Sequence, residues 1–250
     1  MPPWMMAGVW GLVAGSALLV GAALGYSRDL PQRLIAAVMA LGAGVLIAAL
    51  AFDLMEDAFE RGGLDSTALG FIVGAALFTG INWLLARNGA KHRKRSGHHQ
   101  KKEAEQEGSG LALAIGALLD GIPESMVIGV SLIGGGAVSL TAVVAVFLSN
   151  IPEGLSSSSG MRKAKRSAMY VFGLWTGIAV FSGVSAIFGF AVLHQFGDEV
   201  IALTTAVAAG AVLAMVADTM IPEAFASTHD FTGLITVIGF LVAFALTKLG

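Results

Sequence analysis

Two neighbouring apolar segments each place carboxylates beside a proline. The first, residues 111–132, contains Asp120-Gly121-Ile122-Pro123-Glu124. The second, residues 140–159, contains Ser149-Asn150-Ile151-Pro152-Glu153-Gly154. A charge at mid-bilayer costs at least ~2.5–3.5 kcal/mol, so Asp120, Glu124 and Glu153 need a compensating partner. Neither segment contains a lysine or arginine. Each proline also lacks an N–H and frees a carbonyl one turn back, so a break beside the carboxylates is expected. Asp120 and Glu124 are four apart and share a helix face, as do Ser149 and Glu153. Asn150 adjoins Ser149. Asp120, Glu124, Ser149, Asn150 and Glu153 together offer three carboxylates, an amide oxygen and a hydroxyl. Hard and borderline divalent cations take such oxygen ligands. Two other readings stay open at this point. The carboxylates can be bonded to hydroxyls and backbone as structural groups, or they can be protonated in a proton-linked site.

The elements that must position these residues are apolar helices. The chain has 250 residues, 56% of them hydrophobic and only 13% charged. Soluble domains have about 45–50% apolar and about 25% charged residues, so a soluble enzyme is excluded. Eight runs approach the ~20 residues that a spanning helix needs: 4–26, 34–59, 67–86, 111–132, 140–159, 167–193, 201–225 and 231–247. The expected fold is an all-α membrane protein of eight transmembrane helices, forming a single transporter domain over residues 1–250. The polar stretch 87–108 reads as a disordered loop within it, rich in Lys and Arg and then in Glu. There is no cysteine, hence no disulfide and no thiolate site. The start Met1-Pro2-Pro3-Trp4 lacks a basic region, so the first run reads as a retained helix rather than a cleaved signal.

Charge asymmetry sets the expected orientation. With eight spans and external termini, the loops after spans 1, 3, 5 and 7 are cytoplasmic. Those loops hold thirteen of the fifteen basic residues, leaving Arg61 and Lys248 outside. The positive-inside rule therefore favours both termini outside. A weak repeat adds to this. Asp53-Leu54-Met55-Glu56-Asp57-Ala58-Phe59 in span 2 approximates Asp218-Thr219-Met220-Ile221-Pro222-Glu223-Ala224-Phe225 in span 7, with a one-residue slip. Spans 2 and 7 run in opposite directions, and so do spans 4 and 5, which both carry Ile-Pro-Glu. Inverted repeats with interrupted helices are the signature of secondary transporters. Asp53, Asp57, Asp218 and Glu223 then line an ion path or are solvated helix ends. Met55, Met215 and Met220 read as packing residues.

The basic stretches after spans 3 and 5 divide the eight spans into 3+2+3; this layout, the paired Pro-Glu motifs of spans 4 and 5, and Asp218…Ile221-Pro222-Glu223-Ala224 resemble the ZIP (Zrt/Irt-like) divalent-metal transporters over nearly the whole chain. The resemblance implies that spans 4 and 5 hold the metal, with Glu124 and Glu153 as ligands. It puts Asp120 where the family commonly has His, and Ser149 where it has His or Gln. Asn150 matches a residue of a second metal position. That position loses two further ligands here, at Gly121 and at Val180, so a single-metal site is expected.

The function expected is secondary transport of Zn²⁺, Mn²⁺ or Fe²⁺ into the cytoplasm across a plasma membrane, of the bacterial inner-membrane type. The alternative is a ZIP-like carrier of a non-metal or proton-coupled substrate. No enzyme activity and no prosthetic group are expected; the divalent metal is the substrate. The partners are that cation and the lipid bilayer, with no nucleic acid, and a homodimer is left open. No Gly-x-x-x-x-Gly-Lys-Ser/Thr loop is present for ATP. An intramembrane metalloprotease would need His-Glu-x-x-His, and no histidine lies within a central helix. His92, His98 and His99 sit among lysines and arginines, which disfavour a bound cation. His194 and His229 stand at helix ends.

Overall fold

Proline and glycine mark out most of the boundaries. The computed structural model describes residues 1–28, 30–87, 109–133, 138 and 140–249; the side chains at 109–117, 120, 141 and 249 stand outside that description. The expected loop from 88 to 108, with His92, His98 and His99, therefore lies outside the described residues. Pro3 opens α1 (Pro3–Ser27), and Pro31 precedes α2 (Gln32–Ala49). A proline costs nothing there, because the first N–H groups of a helix have no internal partner. α3 (Met55–Leu85) follows, then α4 (Ser109–Val130) and α5 (Leu140–Lys163). Arg162 and Lys163 close the last turn of α5, where the helix dipole favours cations. Ser167 accepts a bond from the Tyr170 N–H at 3.2 Å and so caps α6 (Ala168–Leu193). Asp198 and Glu199 occupy the first turn of α7 (Asp198–Met215); α8 (Ile221–Thr228) and α9 (Thr232–Leu249) complete the chain. No strand occurs among the described residues.

Two junctions are wound as π-helix rather than α. Leu50–Leu54 joins α2 to α3, and Val216–Met220 joins α7 to α8. They carry Asp53 and Asp218, the acidic residues aligned by the weak repeat. Pro222 explains the second, because it cannot bond the Asp218 carbonyl four residues back. The prolines of α4 and α5 act differently from expectation. Pro123 and Pro152 lie inside helices that continue past them. The expected boundary between spans 2 and 3 falls at Gly63, whose φ of 67° and ψ of −173° break the helical backbone within α3 and suit glycine.

Among the described residues, five helix pairs pack most extensively: α3 with α7, α1 with α5, α1 with α6, α2 with α9, and α4 with α6. Glycine lets their backbones touch. A methyl group at Gly74 would run into the Val207 carbonyl, and one at Gly210 into that of Phe71, so α3 and α7 abut reciprocally. The α2–α9 pair does the same through Gly44 and Gly239. Such small-residue contacts suit helices in lipid, where dispersion at close range replaces the hydrophobic drive. Met39, Phe78, Met215 and Met220 fill the core between α2, α3, α7 and α8, so Met215 and Met220 are packing residues as expected.

The outside is as apolar as the inside. Leu69, Ile72 and Leu77 on α3, Val184 and Phe188 on α6, and Leu234 and Leu241 on α9 are all more than half exposed. A helix that is apolar all round belongs in a core or a bilayer. Among the described residues, four helical stretches are long and apolar enough to cross a membrane: Pro3–Ser27, Gln32–Leu85, Ala168–Leu193 and Asp198–Lys248. This is the make-up of an all-α, multi-pass membrane protein.

Candidate cation pathway

Glu124 stands one residue after Pro123 in α4 and is only 3% exposed. The turn around it is held by Ser125 Oγ, which donates to the Gly121 carbonyl at 2.7 Å. The Glu124 side chain borders a small cavity of about 20 Å³ walled by Leu50, Leu54, Val127, Ala142, Val146 and Val212, among others. That volume has room for about one water. Residues of α2, α4, α5 and α7 thus meet around a single carboxylate.

On α5 the expected ligands share a face and meet different neighbours. Val146, Ser149, Asn150 and Glu153 follow at i, i+3, i+4 and i+7. All are buried, Glu153 at 5% exposure. Ser149 Oγ donates to the Val146 carbonyl at 2.9 Å. Asn150 turns toward α1, where its Nδ2 donates to the Ala14 carbonyl at 3.0 Å. One turn beyond Glu153, Ser156 Oγ donates to Glu223 Oε1 on α8 at 3.1 Å. Glu223 is itself only 3% exposed. The structure therefore ties Glu223 to α5 as a buried group, whereas Asp218 is exposed. Asp120 lies on α4, but its side chain is outside the described residues. Val180 is 53% exposed on α6, so it contributes nothing to this interior.

A second, larger cavity of about 350 Å³ opens above the first. Asp53, Glu56, Asp57, Glu60 and Arg61 line it, together with Thr205 of α7 and Ser131 at the end of α4. Four carboxylates against one guanidinium make it strongly acidic. Arg61 Nε bonds Asp57 at 2.8 Å, and its Nη1 reaches Asp198 at 3.4 Å, tying α3 to α7. Leu54, Val127 and Ala142 belong to the walls of both cavities. An apolar neck therefore separates the acidic vestibule from Glu124.

Sequence reasoning singled out Asp53, Asp57, Glu124, Glu153 and Glu223, and gave no part here to three residues that line the vestibule or meet Glu223. Ser156 had a signal, since it lies three residues after Glu153 on the same face. Arg61 had a weaker one as the only basic residue beside an acidic run. Thr205 had none, being one threonine in an alanine-rich helix. Among the described residues, no group of three or more His, Cys, Asp or Glu side chains is gathered closely enough to hold a metal ion. The described carboxylates are instead placed separately: Asp53 and Asp57 at the vestibule, Glu124 at the small cavity, Glu153 buried on α5, and Glu223 bonded to Ser156. No protein-family model matches this chain, and no curated protein matches it.

Proposed function

We propose that this chain is a ZIP-like secondary transporter that moves a divalent transition-metal cation into the cytoplasm. The observation that carries the reading is the shared wall of the two cavities. An acidic vestibule leads through Leu54, Val127 and Ala142 to a buried glutamate on a proline-containing helix. Charged residues inside a helical membrane bundle mark ion pathways more often than structure. Glu124 and Glu153 are the principal ligands in this reading, joined by Asp120 and Ser149. Asn150 joins them through its Oδ1, while its Nδ2 holds α1. Asp53 and Asp57 belong to the outer end of the path and Glu223 to the inner end.

The eight-span 3+2+3 arrangement is part of the proposal. Helix packing supports it. Exchanging the first three spans with the last three turns the α3–α7 pair into α9–α2, and the α1–α5 pair into α6–α4; all four pairs occur. The π segments Leu50–Leu54 and Val216–Met220 fall at matching places under the same exchange. Both termini are external in this reading, and the membrane is the plasma membrane. Uptake of Mn²⁺, Fe²⁺ and Zn²⁺ into proteoliposomes tests the function. Substantial uptake by wild type, lost in Glu124→Gln and Glu153→Gln, is the expected result. Absence of divalent uptake by a well-folded wild type would replace the reading with its proton-linked alternative.

A further inference from the structure

Threonines in these helices follow one habit, and Thr205 departs from it. Thr67, Thr204, Thr219, Thr228, Thr236 and Thr247 each donate their hydroxyl to the carbonyl four residues back. That local bond is the usual way for a buried hydroxyl to be satisfied in a helix. Thr205 is only 3% exposed, and its Oγ1 is buried with no hydrogen-bond partner among the described residues. An unsatisfied buried hydroxyl costs about 1–3 kcal/mol. Asp53 Oδ2 is in the same condition. Both residues line the vestibule, on opposite elements: Thr205 on α7, and Asp53 on the π segment beside Leu54 at the neck. The other inner carboxylate, Asp57, is already engaged by Arg61.

We infer that Asp53 and Thr205 form a first station for a hydrated divalent cation, placed just outside the apolar neck. The inference rests on the proposed cation pathway and adds a binding site to it. The chemistry is that of a hard, oxygen-only site. No His, Cys or Met is among the vestibule's described lining residues. One carboxylate and one hydroxyl leave most coordination positions to water, and the cavity is large enough for that shell. A single water needs about 10–15 Å³ of such space, against about 350 Å³ in the vestibule and about 20 Å³ beside Glu124. The cation therefore keeps its water at the first station and sheds it at the neck. A mostly hydrated ion is held by charge rather than by ligand softness. The station thus concentrates Mn²⁺ and Zn²⁺ alike and leaves selectivity to the inner site.

The test is initial-rate uptake in proteoliposomes against Mn²⁺ and Zn²⁺ concentration, for wild type, Asp53→Asn, Thr205→Val and Thr205→Ser. Thr205→Val removes the hydroxyl at nearly constant shape, and Thr205→Ser retains it. Asp53→Asn and Thr205→Val should each raise KM about tenfold, by a similar factor for both metals, with the maximal rate within about twofold. Thr205→Ser should stay near wild type. A second measurement separates binding from transport. The electron paramagnetic resonance signal of Mn²⁺ is titrated with detergent-purified Glu124→Gln/Glu153→Gln protein, with and without Asp53→Asn. Residual Mn²⁺ binding that Asp53→Asn removes supports the station. Wild-type transport with an unchanged KM in both vestibule variants would overturn the station and leave the pathway standing. A wild type that neither binds nor carries Mn²⁺ or Zn²⁺ would overturn both.

Discussion

Glu124 and Glu153 are buried in a bundle whose residues are mostly apolar. In that setting the negative charge is the property most exposed to test. Glutamine keeps the shape and removes the charge. Glu124→Gln and Glu153→Gln should each lower divalent uptake roughly tenfold or more, since a charged ligand contributes about 1.5–3 kcal/mol. Asn150 should behave differently. Its Nδ2 joins α5 to the Ala14 carbonyl of α1, so Asn150→Ala removes a buried interhelical hydrogen bond and should cost about 0.5–1.5 kcal/mol of stability. Thermal denaturation in detergent reads that loss. A lowered uptake per folded molecule with unchanged melting would make Asn150 a ligand and not a tether. Position 120 carries the metal preference in the ZIP-like reading. Carboxylate oxygen suits Mn²⁺ and imidazole suits Zn²⁺, so Asp120→His should shift competitive uptake toward Zn²⁺. An unchanged Mn²⁺/Zn²⁺ ratio would take selectivity away from Asp120.

Helix pairs are fixed by contacts that tolerate no side chain. Gly210 rests on the Phe71 backbone, and Gly74 on Val207. Gly210→Val should push α7 off α3 and cost about 1–3 kcal/mol or more, as overpacking does. Gly177 on α6 has open space where a methyl group would go. Gly177→Ala should therefore be neutral or stabilising by up to about 1 kcal/mol, the helix propensity difference. Comparing the two melting temperatures distinguishes backbone contact from glycine content as such. The π segments belong to this scale too. They hold irregular backbone at Asp53 and Asp218, whereas the proline-containing helices α4 and α5 stay helical. π-Bulges concentrate at functional sites, and here one of them carries the vestibule's deepest carboxylate.

In the proposed eight-span reading, thirteen of the fifteen basic residues fall on one side, and the positive-inside rule makes that side cytoplasmic. The chain has no native cysteine, so single-cysteine labelling reports topology directly. A cysteine at Ser96 should resist an impermeant maleimide added outside intact cells and react after permeabilisation. Labelling from outside would reverse the orientation. Residues 92–105 lie beyond every apolar segment. Their deletion should leave at least about half of the uptake, as polar segments outside the packed elements usually can be shortened. Complete loss of uptake with normal membrane insertion would make that stretch part of the path.

Hydropathy alone located the helices, because a bilayer-crossing segment must be long, apolar and free of charge. The eight runs read from the sequence all fall on helices of the fold. The carboxylates beside Pro123 and Pro152 were legible for the same reason, as charges standing out against apolar surroundings. The boundary between spans 2 and 3 was legible as a polar, glycine-containing stretch, and Gly63 breaks the helical backbone inside it. Tertiary structure alone decided what each helix face meets. α6 is apolar all round, so its sequence carries no stripe to say which side is inside. Periodicity put Ser149, Asn150 and Glu153 on one face, and only packing separated Asn150, bound to α1, from Ser156, which reaches Glu223 on α8. Thr205 became visible only when the fold set it across a cavity from Asp53, with neither oxygen satisfied. A sequence records which groups a helix carries; an unmet hydrogen bond is a relation between helices, and it exists only once they are packed.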